Sequence, residues 1–215
     1  MESYKLCLDK VNFANDYVPI FFDVGCNINY IPEHCGILDD FTELGLSMYP
    51  NSKFYGLDPL HWQNYEKKWK NDSRVVVIKK ALSDSTENKI LYIPNISITP
   101  VSHAISSLFD RKCFEDVGEI EVECTTLDFI FNQFNLERID YLKVDTEGSE
   151  FSILRGGKEV LENKKINYIQ LEYGGTYEDA GFTILDIISY LSDYGYTEIF
   201  RTHSELLFAN KEITQ

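Results

Sequence analysis

The sequence predicts an α/β fold built on a mostly parallel sheet. Strand-like apolar runs alternate with helix-like segments along the 215 residues. Composition is that of an ordinary globular protein, 44% hydrophobic and 26% charged, in a chain long enough to bury a large core. There is no internal repeat and no low-complexity linker, so one domain covering 1–215 is expected.

Taken in order, PIFFDVG (19–25) reads as a buried strand ending at a glycine. Ile37, Phe41, Leu44 and Met48 then recur at helical spacing. KFYGLD (53–58) is the second strand, YEKKW (65–69) a short helix and RVVVIKKAL (74–82) the third strand. KILYIP (89–94) and EIEVECTTL (119–127) alternate as half-exposed strands do. The segment 95–118 between them has no period, and a loop of that length is a candidate functional element. Thr126 can cap a helix carrying Leu127, Ile130, Phe131 and Phe134. IDYLKVD (139–145) and INYIQLEY (166–173) are further strands. Thr183 with Asp186 resembles a capping box, and Gly195 is the stop of the helix it opens. YTEIFR and ELLFAN close the chain as a hairpin with His203 and Ser204 at its turn.

Charge and cysteine usage narrow the function. Net charge is −15, from 35 acidic and 20 basic residues. Nucleic-acid binding is disfavoured, because phosphate neutralisation needs a basic face. The one basic cluster, Lys67, Lys68 and Lys70 around Trp69, reads as a solvated helix face. No apolar run reaches the roughly 18 residues of a membrane span, and MESYKLCLDK lacks a signal pattern, so no membrane partner and a cytoplasmic location are expected. The five cysteines include no C-x-x-C pair, which argues against structural zinc and for reduced, buried thiols.

In open parallel sheets, ligands sit beyond the carboxyl ends of the strands, where strand order reverses. The first strand presents Asp23, Gly25 and Asn27 there, and the second ends in Asp58. A carboxylate at Asp58 suits a ribose diol. Pro59 and Leu60 offer a wall for a flat base, and Ala81, Leu82, Ser83 and Asp84 are small and polar enough to border an adenine ring. The loop GCNINY is not G-x-G-x-x-G, the arrangement that brings backbone N–H groups onto a pyrophosphate. NAD and FAD are therefore disfavoured. A nucleoside with an ammonium, carboxylate and sulfonium tail fits better, and S-adenosyl-L-methionine is that molecule. Asp23 could face its cationic groups.

These residues resemble the FkbM-type S-adenosylmethionine-dependent methyltransferases. The resemblance covers about residues 19 to 175, through FFDVGCNIN, FYGLDP, KKALSD, TTLDFI, IDYLKVDTEGSEFSILRGG and IQLEYGG. It implies a Rossmann-like class I methyltransferase fold, with helices on both faces and one antiparallel strand near the C-terminus. It also implies O-methylation of sugars or other hydroxyl-bearing small molecules. By the resemblance, the first-strand loop with Cys26, Asp58 and the Ala81–Asp84 segment hold the cofactor, and the D-x-E-G-x-E segment closes the site. The chain departs from the family pattern at Asn29, where glycine is usual, at Cys26, where alanine is usual, at Tyr30-Ile31-Pro32, and at Asp58, where glutamate is commoner.

Strand order should place Asp145 across the switch point from the first strand, facing the methionine portion of the cofactor or the accepting hydroxyl. Asp145 and His103 are the leading proton acceptors, His103 because it lies in the long irregular segment. Glu147 and Glu172 are further catalytic candidates, although Glu147 and Glu150 also suit a helix N-terminus. Asp145 with Glu147 or Glu172 could instead hold a divalent cation. The acceptor read from this is a carbohydrate hydroxyl, on a deoxyhexose or another glycan residue, with Trp62, Tyr173 and Tyr177 available to stack on it. A non-sugar O-methyltransferase, a nicotinamide oxidoreductase and a non-catalytic nucleoside-binding module are the competing readings.

Overall fold

The computed structural model describes residues 2–14, 16–26, 40–95, 105–174 and 176–213. In chain order the elements are α1 (Glu2–Leu8), β1 (Ile20–Val24), α2 (Phe41–Met48), β2 (Lys53–Leu57), α3 (Trp62–Trp69), β3 (Val75–Ile78), β4 (Ala81–Leu82), β5 (Asn88–Pro94) and β6 (Val117–Thr125). They continue with α4 (Leu127–Gln133), β7 (Ile139–Val144), α5 (Glu150–Arg155), α6 (Lys158–Glu162), β8 (Ile166–Glu172), α7 (Thr176–Asp179), α8 (Ile184–Asp193), β9 (Tyr196–Arg201) and β10 (Glu205–Asn210).

The main sheet has seven strands in the order β3-β2-β1-β7-β8-β10-β9. β3, β2, β1, β7 and β8 run parallel. β10 is antiparallel to both of its neighbours, which makes it the reversed strand near the C-terminus. This is the class I methyltransferase arrangement, and the order reverses between β1 and β7. Strand alternation sends successive side chains to opposite faces. Phe21, Phe54, Tyr141 and Leu207 pack on one face with Cys7 and Leu8 of α1 and Phe41 of α2. Phe22, Tyr55, Leu142 and Ile169 pack on the other with Leu127, Ile153, Leu161 and Leu191. Both faces are therefore covered, as a parallel sheet requires.

Several local readings hold at the atomic level. The Thr126 hydroxyl accepts from the Phe129 amide at 3.1 Å and caps α4. Thr183 and Asp186 form a reciprocal capping box at α8. Gly195 adopts φ +78° just beyond it, as a helix stop with left-handed backbone does. Other readings change. The predicted third strand breaks after Ile78, and Ala81–Leu82 pairs instead with β6 in a separate sheet of order β4-β6-β5. The two half-exposed strands pair with each other there, antiparallel. α3 starts at Trp62. α2 starts at Phe41, and Ile37 lies outside the described residues. α1 has no counterpart in the sequence reading. Among the described residues, no helix is long and apolar enough to cross a membrane.

Candidate active site

A crevice opens at the carboxyl ends of β1, β2 and β7, where strand order reverses. Gly25, Asp58, Pro59, Ala81, Leu82 and Asp145 line it, as expected from strand order, together with Leu91, Leu108 and Glu147.

Gly25 is required here by the backbone itself. Its φ is +79°, and a Cβ would sit 1.9 Å from the Asp145 carbonyl oxygen. The β1 and β7 exits can meet this closely only without a side chain. Asp58 is 7% exposed, and its Oδ1 accepts from the amides of Leu60 (2.7 Å) and His61. This turn fixes the carboxylate at the crevice wall. Burial pushes the Asp58 pKa up, against the opposing pull of His61 and the two amides.

The loop after β7 is tied down by Glu150. Its carboxylate, 1% exposed, accepts from the Thr146 amide at 2.8 Å, the Thr146 hydroxyl at 3.0 Å and the Gly148 amide at 2.9 Å. The loop carries Glu147 at φ +55°, a conformation that a non-glycine residue holds only when its surroundings enforce it. The Ser107 hydroxyl donates to the Glu147 carbonyl at 2.7 Å, and Arg111 Nη1 donates to Glu147 Oε2 at 2.9 Å. Thus the irregular segment after residue 104 does lie against the site, through Ser107 and Arg111. Burial and the charge of Asp145 raise the Glu147 pKa to about 7, with Arg111 acting in the opposite direction.

Asp145 stands in a different environment. The Tyr4 hydroxyl donates to its Oδ2 at 2.6 Å, and Lys143 Nζ lies 3.3 Å from the same oxygen. Glu172 is hydrogen-bonded to it as well. Burial opposes the charge on Asp145, but Lys143, Glu172 and Tyr4 outweigh it, and its pKa is lowered. Burial, the Asp145 charge and their shared hydrogen bond raise Glu172 to about 10. The two carboxyls therefore titrate as a pair that shares one proton near neutrality.

The remaining candidates are placed elsewhere. Asp23 is 2% exposed and does not line the crevice. It projects one residue before Val24, to the opposite face, where Thr42 donates to Oδ2 at 2.9 Å and Lys143 Nζ sits 3.2 Å from Oδ1. Cys26 is buried at 1% exposure. Ser83 is also 1% exposed; its amide donates to the Thr125 carbonyl and its hydroxyl accepts from Lys89 at 2.7 Å. Asn27 and His103 lie outside the described residues. Among the described residues, no group of three or more His, Cys, Asp or Glu is arranged to hold a metal ion. Trp62, Tyr173 and Tyr177 do not line the crevice either. Lys79 covers the Trp62 ring at 3.8 Å, the Tyr173 hydroxyl donates to the Thr202 carbonyl at 2.9 Å, and Tyr177 is 4% exposed.

The sequence model of the methyltransferase FkbM domain matches residues 26–198. The chain belongs to the FkbM methyltransferase family. Among solved structures, methyltransferase FkbM from Methylobacillus flagellatus KT aligns with 94% of this chain and 45% of its own, at 14% identity and a TM-score of 0.59. The chain thus spans less than half the length of that relative, and the likeness is one of fold. The delta-N METTL16 MTase domain aligns at 10% identity and a TM-score of 0.46, covering 97% of this chain and 80% of its own. Human methyltransferase 10 domain containing protein aligns at 10% and 0.48, covering 97% and 79%. No curated protein matches the sequence.

Membership of the FkbM methyltransferases implies S-adenosylmethionine as methyl donor, and the crevice fits that molecule chemically. It combines a carboxylate at a strand end, apolar walls from Leu57, Pro59, Leu60 and Leu82, and an anionic Asp145 beside Gly25. Sequence reasoning missed Tyr4, Lys143 and Arg111. A lysine inside an apolar strand, as in YLKVD, is the signal that marks a buried charge in need of partners.

Proposed function

We propose that this FkbM-family chain is an S-adenosylmethionine-dependent O-methyltransferase that methylates a hydroxyl of a carbohydrate. The observation that supports it most is the pair of carboxylates at the end of β7. Their environments drive Asp145 and Glu147 apart, one lowered and one raised to about 7. Divergent neighbours of this kind mark a division of labour between a fixed charge and a proton acceptor.

In this reading Asp58 takes the ribose diol, and Ala81 and Leu82 border the base. Asp145, kept anionic, faces the cationic methionine end. When bound, the donor supplies an electrophilic methyl group. Glu147 receives the proton of the attacking hydroxyl, a role that contributes roughly 10²–10⁴-fold. Glu172 holds its proton against Asp145 and supports that charge. Holding donor and acceptor in line supplies on the order of 7–11 kcal/mol of barrier reduction. A carbohydrate acceptor is supported by Glu147 and Thr146 in the lining, polar groups that suit a neutral polyhydroxylated molecule, and by family membership. A non-sugar alcohol is the second reading, favoured by the absence of an aromatic platform among the described lining residues.

The test is incubation with labelled S-adenosylmethionine and a panel of free, nucleotide-linked and oligomeric sugars beside non-sugar alcohols. Label in a carbohydrate is the expected result. Transfer only to non-sugar alcohols, to protein or to nucleic acid refutes the carbohydrate assignment.

A further inference from the structure

The family match begins at residue 26, yet α1 reaches the site from outside it. Cys7 and Leu8 are fully buried against the sheet face that carries Phe21, Phe54 and Tyr141. The Tyr49 hydroxyl donates to the Val11 carbonyl at 3.0 Å and fastens the turn that follows the helix. The Tyr4 ring stands edge-on to Phe41, with centroids 5.8 Å apart. Helix and ring are thus packed in place before the hydroxyl is considered.

We propose that Tyr4 is a positioning residue of the donor site, which holds the Asp145 carboxylate in place toward the cationic end of the methyl donor. The inference rests on the donor-side reading of Asp145 given above. Asp145 lines the crevice, whereas Tyr4 and Lys143 do not. They grip Oδ2 from outside it, at 2.6 and 3.3 Å. Lys143 alone is a poor holder, because its ammonium is shared with Asp23 Oδ1 at 3.2 Å and the Gly25 carbonyl at 3.3 Å. The phenol makes the short contact. Burial and the neighbouring Asp145 charge raise its pKa well above the usual value, so it acts as a donor throughout the working range. Around Asp145 also stand Glu172 on β8, Glu205 on β10, Glu147 in its own loop and Glu150 at the start of α5, and Asp23 on β1 shares its Lys143. In so acidic a setting, a carboxylate stays charged and oriented only while its donors are in place.

The experiment is a double-mutant cycle read by calorimetric binding of S-adenosylmethionine to the parent, Tyr4→Phe, Asp145→Asn and the double variant, with a thermal melt of each. Tyr4→Phe keeps the ring and removes one hydrogen bond to a charged group. We expect about a tenfold loss of affinity. In the Asp145→Asn background the same change should cost less than about twofold, because residues acting through one contact are not additive. An equal loss in both backgrounds, whatever the melts show, means a structural role and overturns the inference. So does unchanged affinity in Tyr4→Phe when Asp145→Asn binds weakly. Parent-like affinity in Asp145→Asn refutes the donor-side reading of Asp145 itself, and Tyr4's role with it.

Discussion

Replacing Glu147 by Gln should improve the folded state at alkaline pH while removing turnover. The side chain is 18% exposed, and its pKa of about 7 compares with 4.5 for an ordinary glutamate. A carboxyl raised in the folded state contributes stability that is complete below pH 4.5 and lost as pH rises through 7. At about 1.36 kcal/mol per pH unit, that loss is of the order of 3 kcal/mol. Gln resembles the protonated acid and does not titrate. Relative to the parent, Glu147→Gln should therefore gain up to about 3 kcal/mol between pH 4.5 and pH 8, several degrees of melting temperature. If Glu147 is the proton acceptor proposed above, the same substitution removes it, and kcat should fall by roughly 10²–10⁴ at pH 8. In the parent, kcat/KM should fall about tenfold per unit below pH 7, as Glu147 protonates. The assays are melts and initial rates across pH 5 to 9. A Gln variant within tenfold of the parent rate, or a melting difference that stays flat with pH, would show that Glu147 is not the group described here.

Asp58→Ala should weaken S-adenosylmethionine binding by about 1.5–3 kcal/mol, the range for hydrogen bonds to a charged group, and unchanged affinity by calorimetry removes Asp58 from the ribose site. Gly25→Ala should lower both the melting temperature and donor affinity, because its Cβ would lie 1.9 Å from the Asp145 carbonyl oxygen; a parent-like melt contradicts that contact. Glu150→Ala leaves the buried Gly148 amide and the part-buried Thr146 amide without their acceptor, at about 1–3 kcal/mol for the buried one. Denaturant unfolding should show the loss, and an unchanged midpoint means another group takes over. If proton transfer runs through Glu147, a chelator should change the rate less than twofold, and strong magnesium dependence would favour a metal role for Asp145.

Periodicity alone located most of the strands and helices, because an apolar face must be repeated at 2.0 or 3.6 residues to be buried. Caps were equally legible, since Thr126 and Thr183 act on amides within three residues of themselves. The break after Ile78 was not. RVVVIKKAL keeps β-type residues throughout, and only the main sheet's edge shows where pairing stops and the side sheet takes over.

The crevice residues divide in the same way. Asp58 and Gly25 follow from where the apolar runs end, which the sequence marks by itself, whereas the order that sets β1 beside β7 is seen only in the sheet. Asp23, equally prominent in the sequence, turns to the other face and is held by Thr42 and Lys143. Sequence determined that acids gather after β7, inside the stretch 26–198 that the FkbM domain matches. Only the tertiary structure decided the surroundings of each acid. Glu150 ties down the loop, burial and the Asp145 charge raise Glu172 and Glu147, and Lys143, Glu172 and Tyr4 lower Asp145. The bond from Tyr4 to Asp145 joins residues 141 positions apart. Such a contact has no local pattern, because a carboxylate's charge state is set by neighbours in space and by burial, whichever part of the chain supplies them.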